Sequence, residues 1–372
     1  MEVCREYAPD RTELSDGHGV SCWLEHEYAP EVDFDASSVK VVRKSKETGG
    51  EDEVNSGETV LEVKELSRYF HVGYGQMLHA VDRVSFTVSK GETLGLVGES
   101  GCGKSTTGRC ITKLLKPTSG EILYKGRNIF EMTAEGGKLY RQKMQMIFQN
   151  PYSSLNPRMT VGEIVGEGMK LHSLYPQEEI GKKVEELLNR VGLGREHMSR
   201  FSHEFSGGQR QRIGIARALS VRPEFIVCDE PVSALDVSIQ AQVINMLKDL
   251  QRELGLTLLF IAHDLSVVRY ISDRIAVMYL GELVEEASTE ELFKNPSHPY
   301  TQMLLSAIPV PDPERAREKR RIEIRGEIPS PINPGIGCRF AERCPRATEQ
   351  CRSVNPVRRK IGEGHYAACH LL

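Results

Sequence analysis

The chain has 372 residues, of which 39% are hydrophobic and 27% charged, and its formal net charge is -4. This length and apolar content allow a large core in one or two domains, and the charge balance excludes the strongly basic composition typical of nucleic-acid-binding proteins. No apolar run approaches the roughly 18 residues of a membrane-spanning helix, so we expect a soluble, cytoplasmic protein.

Composition divides the chain into segments. Residues 25–58 are acidic, rich in Ser and Gly and without apolar periodicity, which predicts a flexible linker. From 59 to 309, apolar strand-like runs alternate with helical patterns, as in an α/β domain with a mainly parallel sheet. The alternating stretches Leu61–Val63 and Val84–Val88 predict an antiparallel sheet at its edge. Residues 310–372 are rich in Pro, Arg and Cys, and the prolines disfavour long helices.

The first chemical motif is a glycine-rich loop. Residues 98–105 match G-x-x-x-x-G-K-[ST], after the apolar run Thr93–Val97 and before a helical stretch. In that context, backbone N–H groups surround phosphate oxygens and the helix N-terminus adds partial positive charge. We expect Lys104 to reach the β- and γ-phosphates and Ser105 to place its hydroxyl on Mg²⁺. The predicted nucleotide ligands here are Gly98, Glu99, Ser100, Gly101, Cys102, Gly103, Lys104, Ser105 and Thr106.

Two carboxylates end a second apolar strand, where Asp229 and Glu230 follow Phe225–Cys228. Placing two acids at the end of a buried strand is costly unless a cation or a proton transfer uses them. We expect Asp229 to bind Mg²⁺ through water and Glu230 to act as the general base on the attacking water.

Two further polar side chains end apolar runs. Gln149 closes Met146–Gln149, and His263 follows Leu258–Ala262. Ligands bind at the carboxyl ends of the strands in open α/β sheets. Both side chains are therefore predicted at the same site, and both are candidate catalytic residues.

A second phosphate-facing element lies between these motifs, at Ser206-Gly207-Gly208-Gln209. The glycines let backbone approach a phosphate closely, Ser206 supplies a hydroxyl, and a helix predicted over Gln209–Ala218 directs its positive end at the ligand. An element of this kind, separate from the loop, indicates a triphosphate held from two sides.

Together these motifs resemble those of the ATP-binding subunits of ABC transporters, over residues 60–310. The resemblance implies a P-loop NTPase fold: a RecA-like core with a mainly parallel sheet, an antiparallel β edge and an inserted helical subdomain. It also implies ATP hydrolysis coupled to closure of a dimer, in which Ser206–Gln209 is the signature motif and contacts the ATP of the opposing subunit. Phe205 stands where many members have Leu.

The resemblance assigns further roles residue by residue. They are the Q-loop and an Mg²⁺ contact for Gln149, the D-loop for Ser233–Asp236 with Asp236 at the nucleotide, the γ-phosphate switch for His263, and adenine stacking for Phe70, with Tyr69 as the alternative.

Four cysteines of the tail are spaced as C-x5-C-x6-C-x17-C, namely Cys338, Cys344, Cys351 and Cys369. None of these gaps is the C-x2-C or C-x4-C spacing common in structural zinc sites, and a Cys-Pro step such as Cys344-Pro345 also occurs in ferredoxin-type ligation. We therefore predict a [4Fe–4S] cluster. A zinc site and unligated, reduced cysteines remain alternatives.

The tail narrows the resemblance. Asn295–Thr301, Leu304–Pro309 and the segments around Cys338 and Cys344 resemble the ATPases of oligopeptide and dipeptide importers, whose relatives carry nickel or oligosaccharides. This implies a peripheral subunit on the cytoplasmic face of the membrane. It would bind two permeases that are served by an extracytoplasmic binding protein.

The N-terminus repeats the tail. The spacing of Cys4-Arg5, Pro9, Gly17-His18 and Cys22 is the same as that of Cys351-Arg352, Pro356, Gly364-His365 and Cys369. We interpret residues 1–24 as the end of a sister ATPase of the same type, from a tandem fusion or a split gene. Cys4 and Cys22 cannot complete a four-thiolate site and are expected to be unligated. The subunit across the ATP would then be a sister ATPase, with a homodimer as the alternative.

Two other classes of function fit parts of the sequence. Soluble ABC proteins that act on DNA carry long heptad coiled coils, which are not seen here, and those of ribosomes carry two complete ATPase domains, against one here. A nonenzymatic ATP sensor is disfavoured because both Glu230 and His263 are present.

Overall fold

A computed structural model gives the arrangement of the chain. The residues that it describes are 58–309, 322 and 326–372, together with the backbone of 12–15 and 18–20. The chain divides into two units, Met1–Ser56 and Gly57–Leu372. Cys4, Cys22 and nearly all of the predicted linker lie outside the described residues.

The described part of the first unit is an antiparallel hairpin of β1 (Thr12–Ser15) and β2 (His18–Val20). Its register pairs Thr12 with Val20, Glu13 with Gly19 and Ser15 with His18.

An eight-stranded sheet forms the centre of the second unit. In spatial order its strands are β13 (Arg359–Gly362), β14 (His365–Ala367), β12 (Glu282–Ser288), β11 (Arg274–Tyr279), β5 (Thr93–Val97), β10 (Thr257–Ala262), β9 (Phe225–Asp229) and β8 (Met144–Ile147). The strands from β11 to β8 are parallel, and β12, β14 and β13 extend the sheet in antiparallel fashion. The predicted mainly parallel sheet is confirmed, and the tail supplies the last two strands.

A second sheet is antiparallel throughout, as predicted for the edge of the domain. Its strands, in spatial order, are β4 (Gln76–Ser89), β3 (Thr59–Gly73), β6 (Ser119–Tyr124) and β7 (Arg127–Asn128). Val84, Phe86 and Val88 are buried while Arg83 and Thr87 are exposed, the period-two pattern of a strand with one face on the core.

The main sheet separates two apolar cores. Along β10, Leu258 and Phe260 point into one core, and Leu259 and Ile261 point into the other. All six residues of this strand are buried. A strand covered on both faces reads as a continuous apolar run, which is why this part of the sheet was visible in the sequence.

Helices cover the sheets. They are α1 (Lys104–Ile111), α2 (Ala134–Lys143), α3 (Pro151–Ser154), α4 (Val161–Leu171), α5 (Gln177–Arg190), α6 (Gly207–Leu219), α7 (Val237–Leu254), α8 (Leu265–Ile271), α9 (Thr289–Lys294), α10 (Pro299–Ser306) and α11 (Glu349–Ser353). The predicted helical subdomain is formed where α4 and α5 pack against each other and against α6. Among the described helices, none is both long and apolar enough to cross a membrane.

Candidate functional site

The phosphate loop joins β5 to α1 and leaves little room for side chains. Gly103 has a φ of 106°, and a Cβ atom there would lie 2.0 Å from the carbonyl oxygen of Ala80, so glycine is required. The Lys104 side chain is buried, and its ammonium donates hydrogen bonds to the carbonyl oxygens of Gly98 at 2.8 Å and Glu99 at 2.9 Å. The other predicted ligands lie on the same loop or in the first turn of α1, namely Ser100, Gly101, Cys102 and Thr106.

A hydroxyl and a carboxylate meet beside the loop. The hydroxyl of Ser105 donates to Oδ1 of Asp229 at 2.6 Å. Asp229 is only 1% exposed, and this burial raises the pKa of its carboxyl group. Hard oxygen donors of this kind suit Mg²⁺, and a bound cation would offset the cost of burying the carboxylate. The pair therefore fits the predicted magnesium site.

The three predicted catalytic side chains meet at one carboxylate oxygen. Oε2 of Glu230 accepts a hydrogen bond from Nε2 of Gln149 at 2.8 Å and lies 3.4 Å from Nδ1 of His263. Glu230 also has a φ of 45°, a left-handed conformation that costs about 1–3 kcal/mol in a residue with a side chain and is concentrated at functional sites. These side chains come from three separate strand ends, where the sequence predicted them.

The signature segment begins α6. Ser206 Oγ accepts from the backbone N–H of Gln209 at 3.4 Å, and the Ser206 N–H donates to Gln209 Oε1 at 3.1 Å, which together form a capping box. A Cβ on Gly208 would lie 2.6 Å from Cγ2 of Ile239, and Phe205 is buried in the core. The helix α6 packs on α4, α5 and β8, whereas α1 packs on β4, β9 and β10. The two predicted phosphate-binding elements thus rest on different supports.

The predicted D-loop is tied to the catalytic carboxylate. Ser233 Oγ donates to the carbonyl oxygen of Glu230 at 3.1 Å. Asp236 is exposed, stands before α7 and makes no capping hydrogen bond with its side chain. Its carboxylate is therefore accessible from solvent.

The two aromatic candidates for adenine stacking have different neighbours. The Tyr69 hydroxyl donates to Oδ1 of Asp82 at 2.7 Å, and its ring stacks on His79 with 4.0 Å between centroids. Phe70 is half-buried, with the guanidinium of Arg68 4.5 Å from its ring centroid. Because Tyr69 is held by its own contacts, Phe70 stays the predicted stacking residue.

Comparison with known proteins identifies the family. The profile of the ABC transporter family matches residues 81–233, and that of the oligopeptide/dipeptide transporter C-terminal region matches residues 284–351. The putative oligopeptide transport ATP-binding protein YkfD of Bacillus subtilis is 55% identical over 313 residues, which cover 84% of this chain and 95% of YkfD. The chain belongs to the ABC transporter ATPases.

Other relatives and solved structures agree with this assignment. The oligopeptide transport ATP-binding protein OppF of Bacillus subtilis is 60% identical over 266 residues, 71% of this chain and 87% of OppF. The structure of cbiO1 from Clostridium perfringens superposes with a TM-score of 0.57 at 29% identity, covering 64% of this chain and 92% of cbiO1. The ATP-binding cassette MJ0796, bound to ADP and Pi, gives 0.56 at 31% identity, covering 62% and 98%. The predicted P-loop NTPase fold is confirmed. This ABC ATPase hydrolyses ATP, and ATP with Mg²⁺ is typical of such cassettes.

Two residues at the phosphate loop were not predicted. The Tyr300 hydroxyl accepts from the backbone N–H of Glu99 at 2.9 Å. Arg343 forms a bidentate ion pair with the Glu99 carboxylate, at 2.7 and 3.0 Å. The sequence singled out the surroundings of both residues only as marks of the importer subfamily, so position in those segments was the available signal.

The four tail cysteines lie in one region of the fold. Cys351 and Cys369 are buried and Cys338 and Cys344 half-buried, and the backbone N–H of Cys338 donates to the Cys351 carbonyl oxygen at 2.7 Å. Burial raises the pKa of the Cys338 thiol to about 11, and the neighbouring Cys351 and Cys369 thiols raise it further. Within the described ranges, no three His, Cys, Asp or Glu side chains are grouped so as to hold a metal ion. The thiols are neighbours without forming a metal site.

Proposed function

We propose that this ABC ATPase powers an importer of oligopeptides or dipeptides, through ATP-driven closure of a dimer against two membrane permeases. The relatives YkfD and OppF are described as oligopeptide transport ATP-binding proteins, and the matched C-terminal region is that of oligopeptide/dipeptide transporters. The subunit would act at the cytoplasmic face of the membrane, with cargo delivered by an extracytoplasmic binding protein. Nickel or an oligosaccharide is the alternative cargo.

The convergence of Gln149 and His263 on Glu230 is the observation that carries the proposed chemistry. Glu230 takes a proton from the attacking water, and Gln149 orients that water through the same carboxylate oxygen. His263, whose side chain is 56% exposed, is free to turn toward the γ-phosphate. When bound at Ser105 and Asp229, Mg²⁺ neutralises phosphate charge.

Closure follows from where the signature segment stands. The N-terminus of α6 carries Ser206, Gly207 and Gly208, and its positive end favours an anion. In the proposed dimer this segment contacts the γ-phosphate held by the phosphate loop of the opposing subunit. ATP then joins the subunits, and its hydrolysis releases them.

Deletion of the gene in its own host is expected to abolish uptake of a radiolabelled pentapeptide, because a permease without its ATPase cannot cycle. Uptake should return with the wild-type gene and stay absent with a Glu230→Gln copy. Parallel assays with ⁶³Ni²⁺ and a labelled trisaccharide discriminate between the cargoes. Loss of either of those, with peptide uptake intact, would reject the peptide assignment.

We further propose that residues 1–24 repeat the cysteine tail and that the partner across the ATP is a sister ATPase. The support is the hairpin: β13 and β14 pair Arg359 with Ala367, Lys360 with Tyr366 and Gly362 with His365. The hairpin of β1 and β2 has the same register, at the offset that separates Cys4 from Cys351.

We also propose that Cys338, Cys344, Cys351 and Cys369 hold a [4Fe–4S] cluster, with zinc as the alternative. Four neighbouring thiols whose burial opposes ionisation gain from a cation that takes them as thiolates. Protein purified without oxygen is expected to contain about four iron and four sulfide per chain. Cys344→Ser should lose most of both, while Cys4→Ser should keep them. Stoichiometric zinc without sulfide would replace the cluster by the zinc site.

A further inference from the structure

The phosphate-loop residue Glu99 has every polar group engaged. Its carboxylate receives both terminal nitrogens of Arg343, its N–H donates to the Tyr300 hydroxyl, and its carbonyl oxygen accepts from the ammonium of Lys104. Two of these three partners lie outside the nucleotide-binding motifs, in the subfamily-specific part of the chain. The position of the loop at Glu99 is therefore set from the tail side.

Arg343 is itself held rigidly. The residue is 4% exposed, and its Nη1 also donates to the Tyr279 hydroxyl at 3.3 Å. Beneath it, Tyr279, Tyr300 and Phe340 form a buried aromatic trio with ring centroids 4.6, 5.2 and 5.4 Å apart. Phe340 comes from the same tail turn as Arg343. The guanidinium therefore has few other positions available to it.

The charge of Glu99 explains why such a partner is needed. A carboxylate on a loop that binds a polyphosphate repels the ligand and competes with it for Lys104, only a few residues away. Arg343 neutralises this charge and, as a bidentate partner, directs it away from the ligand. The side chain of Glu99 is 23% exposed, so water alone screens it incompletely.

We propose that Arg343 is a positioning residue for the ATP site, which acts through Glu99 to hold the phosphate loop and to neutralise its carboxylate. This inference rests on the proposed binding of phosphates at Lys104. It makes the cysteine-rich tail part of the nucleotide site.

Arg343→Met is expected to raise the Kd for Mg-ATP about tenfold and to raise KM in parallel, with kcat changed less than about threefold, because a binding contact is lost and the reacting groups are intact. Adding Glu99→Gln should bring Kd back to within about threefold of wild type, since the carboxylate that needed neutralising is gone. The Kd is measured by displacement of a fluorescent ATP analogue from the full chain.

Arg346→Met is the matched control: Arg346 is exposed, two residues beyond Cys344, and donates to Gln302. It should bind ATP as wild type does. Wild-type Kd for Arg343→Met, or no recovery in the double variant, would overturn the proposal. If Arg343→Met does not fold, Glu99→Gln and the double variant are compared, and a difference of about tenfold or more would equally overturn it. Failure of the wild-type chain to bind ATP would instead reject the proposed phosphate site.

Discussion

Replacing Glu230 by Gln is expected to lower kcat for ATP hydrolysis about 10³-fold, equivalent to about 4 kcal/mol of transition-state stabilisation, while the Kd for ATP changes little. The amide keeps the shape of the side chain and its contact with Gln149 but cannot accept the proton of the attacking water. Release of phosphate under saturating Mg-ATP measures kcat, and displacement of a fluorescent ATP analogue measures Kd.

Glu253→Gln is the matched control, because Glu253 is exposed and pairs only with the surface residue Arg190 among the ion pairs described. It should hydrolyse ATP at the wild-type rate. Turnover of Glu230→Gln within about threefold of wild type would exclude Glu230 as the general base.

The same variant tests the proposed partner, since ATP that is not hydrolysed keeps a closed dimer together. With Mg-ATP, light scattering should show Glu230→Gln as a monomer when alone and as a dimer when mixed with its sister ATPase. A dimer formed by the variant alone would replace the sister by a second copy of this chain.

Replacing Lys104 by Ala is expected to weaken ATP binding about 100-fold and to bring hydrolysis below detection. The ammonium is buried against the loop carbonyls of Gly98 and Glu99, so it meets the phosphates where water screens charge poorly and a charge-assisted contact is strong. Isothermal titration with Mg-ATP and Mg-ADP measures the loss, which should be larger for ATP because Lys104 is expected to reach the γ-phosphate.

Lys116→Ala provides the comparison for this substitution. Lys116 is exposed and follows α1, so its loss should change neither affinity. Equal losses for ATP and ADP in Lys104→Ala would show that the side chain does not distinguish the γ-phosphate.

Much of the nucleotide site was predictable because its motifs are contiguous and each follows an apolar strand. Asp229 and Glu230 follow a run that is buried on both faces, and the parallel sheet then brings such strand ends to one edge. The meeting of Gln149 and His263 at Glu230 needed only this rule. The repeat between the two ends of the chain was equally visible in the spacing of its residues.

The sequence by itself therefore determined the fold class, the nucleotide motifs and the repeat, since each is written in short-range pattern. Only the tertiary structure decided that Arg343 pairs with Glu99, 244 positions away along the chain. That contact exists because β14 pairs with β12 and carries the tail back onto the sheet, and no local spacing encodes which distant strand a hairpin joins. The buried arginine looked like one more cation of a basic tail, because burial and partnership are properties of the folded chain.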